Sequence, residues 1–270
     1  MTSAKPINGK NAIEATGFIL GFDRKFQPDE LERLLVLETE LKAELPVFSK
    51  IGGMGVTVQD GNVTVEGNNF TGVALHKTGG HLGTVAWALR VTDNTIHATC
   101  GDYDDWNIEW PKARSLISAV LNLLNSTTLN ISVVGCQVID KFVYLDDTKD
   151  YRVEDIFSID SELLTKKVRD SGELWHIHQG WFDESLTAPG SKLLSQLNLS
   201  SGRLNNKLTT TIDHTMQLIY TQLVTIDEMF TPTGGSIKID MVFKELHDTN
   251  KLILKKLLNE KKLLEIGLST

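Results

Sequence analysis

Trp175-His176-Ile177-His178 is the sharpest local arrangement of chemistry-bearing side chains in the sequence. On a β-strand, side chains two apart point to the same face, so His176 and His178 would present two imidazoles together, as a metal pair does. A metal centre needs a further ligand, and Asp183 or Glu184 is the nearest source. The plainer alternative is two half-exposed strand histidines beside aromatic neighbours, and a bare His-x-His favours it. The metal is therefore unassigned, with His176 and His178 as its candidates, and no cofactor is expected.

The second constellation is an acidic and aromatic corner, Gly101-Asp102-Tyr103-Asp104-Asp105-Trp106-Asn107-Ile108-Glu109-Trp110-Pro111. Paired carboxylates of this kind can hold a divalent cation for phosphoryl chemistry. The spacing is not that of an EF-hand loop, which needs Gly at its sixth position and Glu at its twelfth. A loop with one carboxylate capping a helix that begins near Pro111 accounts for the same residues. Between these readings stands a binding surface, in which Asp102, Tyr103, Asp104, Asp105 and Trp106 accept a basic partner protein. Trp106 and Trp110 read as anchors of the fold.

Other motifs fail tests of context. Gly79-Gly80-His81-Leu82-Gly83 lies between two strands, whereas a phosphate-cradling loop runs from a strand into a helix. Gly52-Gly53-Met54-Gly55 fails in the same way, and Ile51-Gly52-Gly53-Met54 reads as a loop. Neither Gly-x-Ser-x-Gly nor His-Glu-x-x-His occurs. Cys100 and Cys136 fall in apolar strands and read as reduced, buried, inert thiols. No catalytic residue is assigned.

The elements that would carry these groups follow from periodicity. Asn11–Asp23 reads as a strand, and Pro28 opens a helix with Leu31, Leu34, Leu35, Leu41 and Leu45 at helical spacing. Val56–Gln59 and Val63–Glu66 alternate around Asp60-Gly61-Asn62 and predict a hairpin. Strands at 70–78, 84–91 and 95–100 complete an antiparallel meander. Ala113, Leu116, Ile117, Val120, Leu121 and Leu124 form one helical face, and a strand follows over 129–145. The first half is thus β-α-β-β-β-β-α-β. Strands are expected again at 174–182, 193–200, 207–221 and 236–243, with a turn at Ser201-Gly202 and a terminal helix over 248–266. The fold class is α+β, with antiparallel sheets each packed against helices, and two similar halves remain an open option. The polar run Asp146–Asp150 divides an N-terminal domain, 1–147, from a C-terminal domain, 148–270.

The opening Pro6-Ile7-Asn8-Gly9-Lys10-Asn11-Ala12-Ile13-Glu14-Ala15, the Trp106…Glu109-Trp110-Pro111 corner and the late Leu246-His247-Asp248 entry to a helix together resemble a sporadically distributed prokaryotic protein family of about this size. That family has no assigned biochemical activity, so no catalytic residue carries over. Its scattered distribution implies mobile genes, and with them antiviral defence, toxin–antitoxin systems or regulation of a neighbouring effector.

Composition narrows the remaining classes. The 270 residues are 41% hydrophobic, enough for one large or two small cores, and carry a net charge of −8, which argues against a broad phosphate-binding face. No apolar run is long enough to span a bilayer, and residues 1–10 lack the apolar core of a signal peptide, so a cytoplasmic location is expected. The function expected is a non-enzymatic, protein-binding regulatory component of a prokaryotic defence or toxin-neutralising system. Its partner would be a toxin or defence effector, with a homodimer as the second association and nucleic acid disfavoured by net charge. The alternatives are a metal-dependent hydrolase or nuclease using His176 and His178, and a small-molecule sensor.

Overall fold

A computed structural model describes residues 4–59, 62–79, 84–124, 128–144 and 151–268, with the backbone alone for 54–59 and 62–69. The expected domain boundary at 147/148, the tip of the Asp60-Gly61 turn and most of the 79–83 loop lie outside the described residues. The chain is of mixed helix and strand. Its strands are β1 (Ala4–Pro6), β2 (Ile13–Phe22), β3 (Val47–Gln59), β4 (Asn62–Thr78), β5 (Val85–Thr92), β6 (Thr95–Cys100), β7 (Asn130–Tyr144), β8 (Trp175–Glu184), β9 (Lys192–Leu204) and β10 (Lys207–Thr225). They join in a single ten-stranded sheet of order β3-β4-β5-β6-β2-β7-β10-β9-β8, with β1 paired to β7 off that path. The sequence reading of separate sheets is thereby corrected: β2 and β7 are neighbours in one sheet.

Two compact units divide the chain, one from 18–133 with 223–228, the other from 1–17, 134–222 and 229–270. In the first, β3 to β6 form the predicted meander, with pairs such as Ala74↔Arg90 and Trp87↔Cys100. β3 begins earlier than expected. Ile51–Met54, read as a loop, lies inside it, and the glycines there sit at register shifts between Ile51/Gly52 and Gly53/Gly55, the irregularity that glycine in a strand permits. Helix α1 (Pro28–Arg33) opens with Pro28 in its first turn and a capping box between Gln27 and Glu30. The single helix expected through Leu45 is instead α1, a 3-10 turn (Leu34–Val36) and α2 (Leu37–Glu40). The leucines at 31, 34, 37, 41 and 45 are nonetheless all buried.

Helix α3 (Trp106–Leu124) buries Trp110, Ala113, Leu116, Ile117, Val120, Leu121 and Leu124, the stripe read from the sequence. It starts at Trp106 rather than near Pro111. The Asp105 carboxylate accepts the Asn107 N–H at 2.8 Å, and the Asp105 carbonyl accepts those of Ile108 and Glu109 at 3.0 Å, so the cap lies six residues upstream of the proline.

In the second unit, buried residues alternate with more exposed ones over 192–202 of β9 and 207–220 of β10. Their turn is Asn205-Asn206 rather than Ser201-Gly202. Leu204 pairs with Lys207, and both asparagines have positive φ, 51° and 64°, as a two-residue type I′ hairpin requires. Short helices α4 (Lys166–Arg169) and α5 (Ile226–Phe230) precede α6 (Lys238–Leu257), followed by α7 (Glu260–Glu265). The strand expected over 236–243 is the start of α6. Ile239, Val242, Phe243 and Leu246 are buried at helical spacing, and that period extends through Leu257, which outweighs the short alternation Ile237, Ile239, Met241, Phe243. A core of Phe142, Phe157, Leu197, Leu199, Ile212, Leu254 and Leu257, among others, fills the space between sheet and helices. Lys262 is 1% exposed, and its ammonium donates to the Ala4 carbonyl and, at 2.7 Å, to Glu265.

Candidate binding surface

The alternation of β8, β9 and β10 sorts their side chains onto two faces. One face turns Ile177, Leu197, Leu199, Ile212 and His214 into the core. The other carries His176, His178, Gly180 and Phe182 on β8, and His176, His178 and Phe182 are exposed. The antiparallel register sets these residues in rows. His176 lies beside Ser200 and Thr211, His178 beside Asn198 and Asp213, and Gly180 beside Gln196 and Thr215. The shared face predicted for His176 and His178 is therefore observed.

The middle row is hydrogen-bonded at both ends. Nδ1 of His178 meets Oδ1 of Asn198, and Gln137 on β7 donates to Asp213 Oδ1 at 2.8 Å. His178, Asn198, Asp213 and Gln137 thus form a polar line across four strands, flanked by hydroxyls and amides. Such a line can recognise peptide-like groups by hydrogen bonds; it contains no nucleophile paired with a base.

The proposed third metal ligands are engaged elsewhere. Asp183 accepts from the Trp181 indole N–H at 3.0 Å, and Glu184 pairs with Lys192. Among the described residues, no group of three or more His, Cys, Asp or Glu is placed to hold a metal ion.

Beneath the same strands, the core face holds titratable groups that the sequence did not single out. His214 is buried, meets Asn250 of α6 at 2.9 Å through Nδ1 and stacks on Trp181, and burial pushes its pKa down. Asp140 on β7 is 2% exposed, its Oδ2 has no hydrogen-bond partner among the described residues, and burial raises its carboxyl to about 7. In the loop after β8, Glu245 of α6 accepts from the N–H groups of Leu186 and Thr187 at 2.6 and 3.1 Å and from the Ser185 hydroxyl at 3.0 Å. These bonds fix the loop while leaving Leu186 88% exposed. A groove of about 830 Å³ runs beside Arg152, Asp155, Ile159, Lys255, Asn259 and Lys261, with charges of both signs on its walls.

In the other unit, the acidic corner begins at a close approach: a Cβ on Gly101 would sit 2.3 Å from the Val85 carbonyl oxygen. Asp102, Asp104 and Asp105 are exposed, and Tyr103 and Trp106 are half-buried. The ring centroids of Trp106 and Trp110 each lie 5.7 Å from that of Phe18, so both tryptophans pack against β2. Glu109, read as part of the acidic surface, is instead buried, and its carboxylate accepts from Cys100 Sγ at 3.5 Å and the Asp104 N–H at 3.4 Å. Burial, with Glu109 nearby, holds the Cys100 thiol up at about 12. Burial alone does the same for Cys136. Both cysteines are free and buried, as expected.

Asn198, Asp213 and Gln137 were not legible as site residues, because only the long-range register places them beside His178. No helix among the described residues is long and apolar enough to cross a membrane. Neither a protein-family model nor a curated protein matches the chain.

Proposed function

We propose that this protein is a non-enzymatic binding protein that recognises another protein through the face of β8, β9, β10 and β7 that carries His176 and His178. The observation that supports the reading is the row His178–Asn198–Asp213–Gln137, held by its own hydrogen bonds, with His178 exposed and the other three half-buried. Ordered amides and hydroxyls on a flat surface suit peptide backbone and polar side chains, and their ordering is already in place before a partner arrives. The regulatory role in a defence or toxin-neutralising system follows from the sequence resemblance. In the other unit, the exposed carboxylates Asp102, Asp104 and Asp105, beside Ile108 at 57% exposure, offer a separate surface suited to a basic partner. The order of elements supports reading two similar halves. A strand, helical segments, a meander and a long helix occur as β2, α1–α2, β3–β6, α3 and again as β7, α4, β8–β10, α6.

The test is quantitative capture from the source cell by wild type, by Asn198→Arg and by Asp102→Lys/Asp105→Lys, each checked for unchanged melting. A partner held by wild type and lost by Asn198→Arg supports the sheet face. Equal retention by all three proteins overturns it. A second reading, a small-molecule sensor, is favoured by the groove beside Lys255 and Lys261. A ligand found there by native mass spectrometry and lost on Lys261→Glu would replace the first reading.

A further inference from the structure

The two ends of the sheet are built differently. At one end, β3 is broken by two register shifts and carries the exposed Lys50, devices that blunt an edge against further pairing. At the other end, β8 pairs with β9 through ten consecutive residues, Trp175↔Ser201 to Glu184↔Lys192, without a shift. It contains neither proline nor lysine. Among the described residues, its backbone makes no backbone hydrogen bond outside that ladder. Large apolar side chains are exposed on it and at its ends: Phe182 at 62%, Leu174 at 70% and Leu186 at 88%.

We propose that β8 is the interface between two copies of this chain, paired antiparallel about a two-fold axis through Gly180. An axis perpendicular to the sheet keeps like faces together, so opposed residues share parity and their numbers sum to a constant even value. Centring on Gly180 sets His176 opposite Glu184 twice and His178 opposite Phe182 twice, with Gly180 facing its own copy. This register places an imidazole against each Glu184 carboxylate and another against each exposed phenyl, leaves Asp183 opposite Ile177, and puts no like charges in opposition. The pairing satisfies the outward backbone groups of β8 and joins the two polar faces into one surface. It stands whatever that surface binds.

Sedimentation of the full chain at high micromolar concentration should give a dimer; a monomer throughout overturns the proposal. His176→Glu sets like charges opposite each other twice and should weaken association by about ten-fold or more. His176→Glu/Glu184→Lys should restore it, since both opposed pairs become attractive again. Phe182→Lys, at an exposed position, should give a monomer with unchanged melting. A dimer indifferent to both His176→Glu and Phe182→Lys overturns the β8 interface. Gly180→Cys reports the register directly. Opposed Cα atoms at the spacing of paired strands lie within disulfide reach, and Cys100 and Cys136 are buried. Mild oxidation should cross-link the variant into a dimer. A failure to cross-link in a variant that still sediments as a dimer overturns the Gly180-centred register.

Discussion

Replacing Asp140 by Asn should change the pH dependence of stability more than stability itself. Asp140 is buried on a central strand, with one carboxylate oxygen lacking any hydrogen-bond partner among the described residues, and its pKa is raised from 3.8 to about 7. The unfolded chain releases this proton near pH 4 while the native protein retains it until about pH 7. The native state therefore binds more protons between those values, and stability falls as pH rises through that window. Three pKa units at 1.36 kcal/mol each give about 4 kcal/mol of lost stability between pH 4 and pH 8, levelling off above the native pKa. Asn keeps the shape and cannot ionise. It adds an amide donor to the same apolar site, at about 1–3 kcal/mol and at every pH. Denaturant unfolding of both proteins from pH 4 to pH 8 isolates the effect, because all other titrating groups cancel in the difference. Asp140→Asn should be the less stable protein at pH 4 and gain about 4 kcal/mol on wild type by pH 8. A difference that stays flat within about 1 kcal/mol over that range would refute the assignment of an unpaired buried carboxyl.

Trp106→Ala should cost about 3 kcal/mol, measured by chemical denaturation, because it removes a ring packed on Phe18 and stacked with Trp110 at 6.4 Å; unchanged stability with lost partner binding would make the corner an interface instead. Cys100 and Cys136, with thiols held near 12, should both resist a thiol reagent at pH 8 in the native protein and both react after unfolding; rapid labelling of either in the native state would contradict its burial.

The elements legible in the sequence were those whose period runs long enough to exclude the alternative. The stripe from Ala113 to Leu124 cannot be threaded on a strand, and the alternation along Lys207–Thr221 cannot be wound on a helix. Ser236–Phe243 satisfies both periods over eight residues, and only the continuation to Leu257 separates them. Pro111 suits a first helical turn and so suggests a later start for the helix, whereas the capping carboxylate six residues earlier carries the stronger signal. The candidate surface was half legible. His176 and His178 share a face by strand geometry alone. Asn198 becomes their neighbour through a hairpin whose seven-residue loop, 185–191, hides the register, and Gln137 reaches the row from a strand far away in sequence.

The tie between Lys262 and the Ala4 carbonyl joins residues 258 positions apart, and β1 pairs with β7 through Ala4↔Tyr144. The unit that contains both is assembled from three separated stretches, and the other is drawn almost wholly from 18–133. On a ribosome, the 18–133 stretch emerges early with nearly all of its own contacts available. The second unit must hold its first strand in waiting until the last helix has been made. Loop-closure entropy then falls on the late steps, so the Ala4–Lys262 closure belongs to the slow end of folding. Chains halted before residue 262 should keep the meander and α3 while leaving the first strand unlatched.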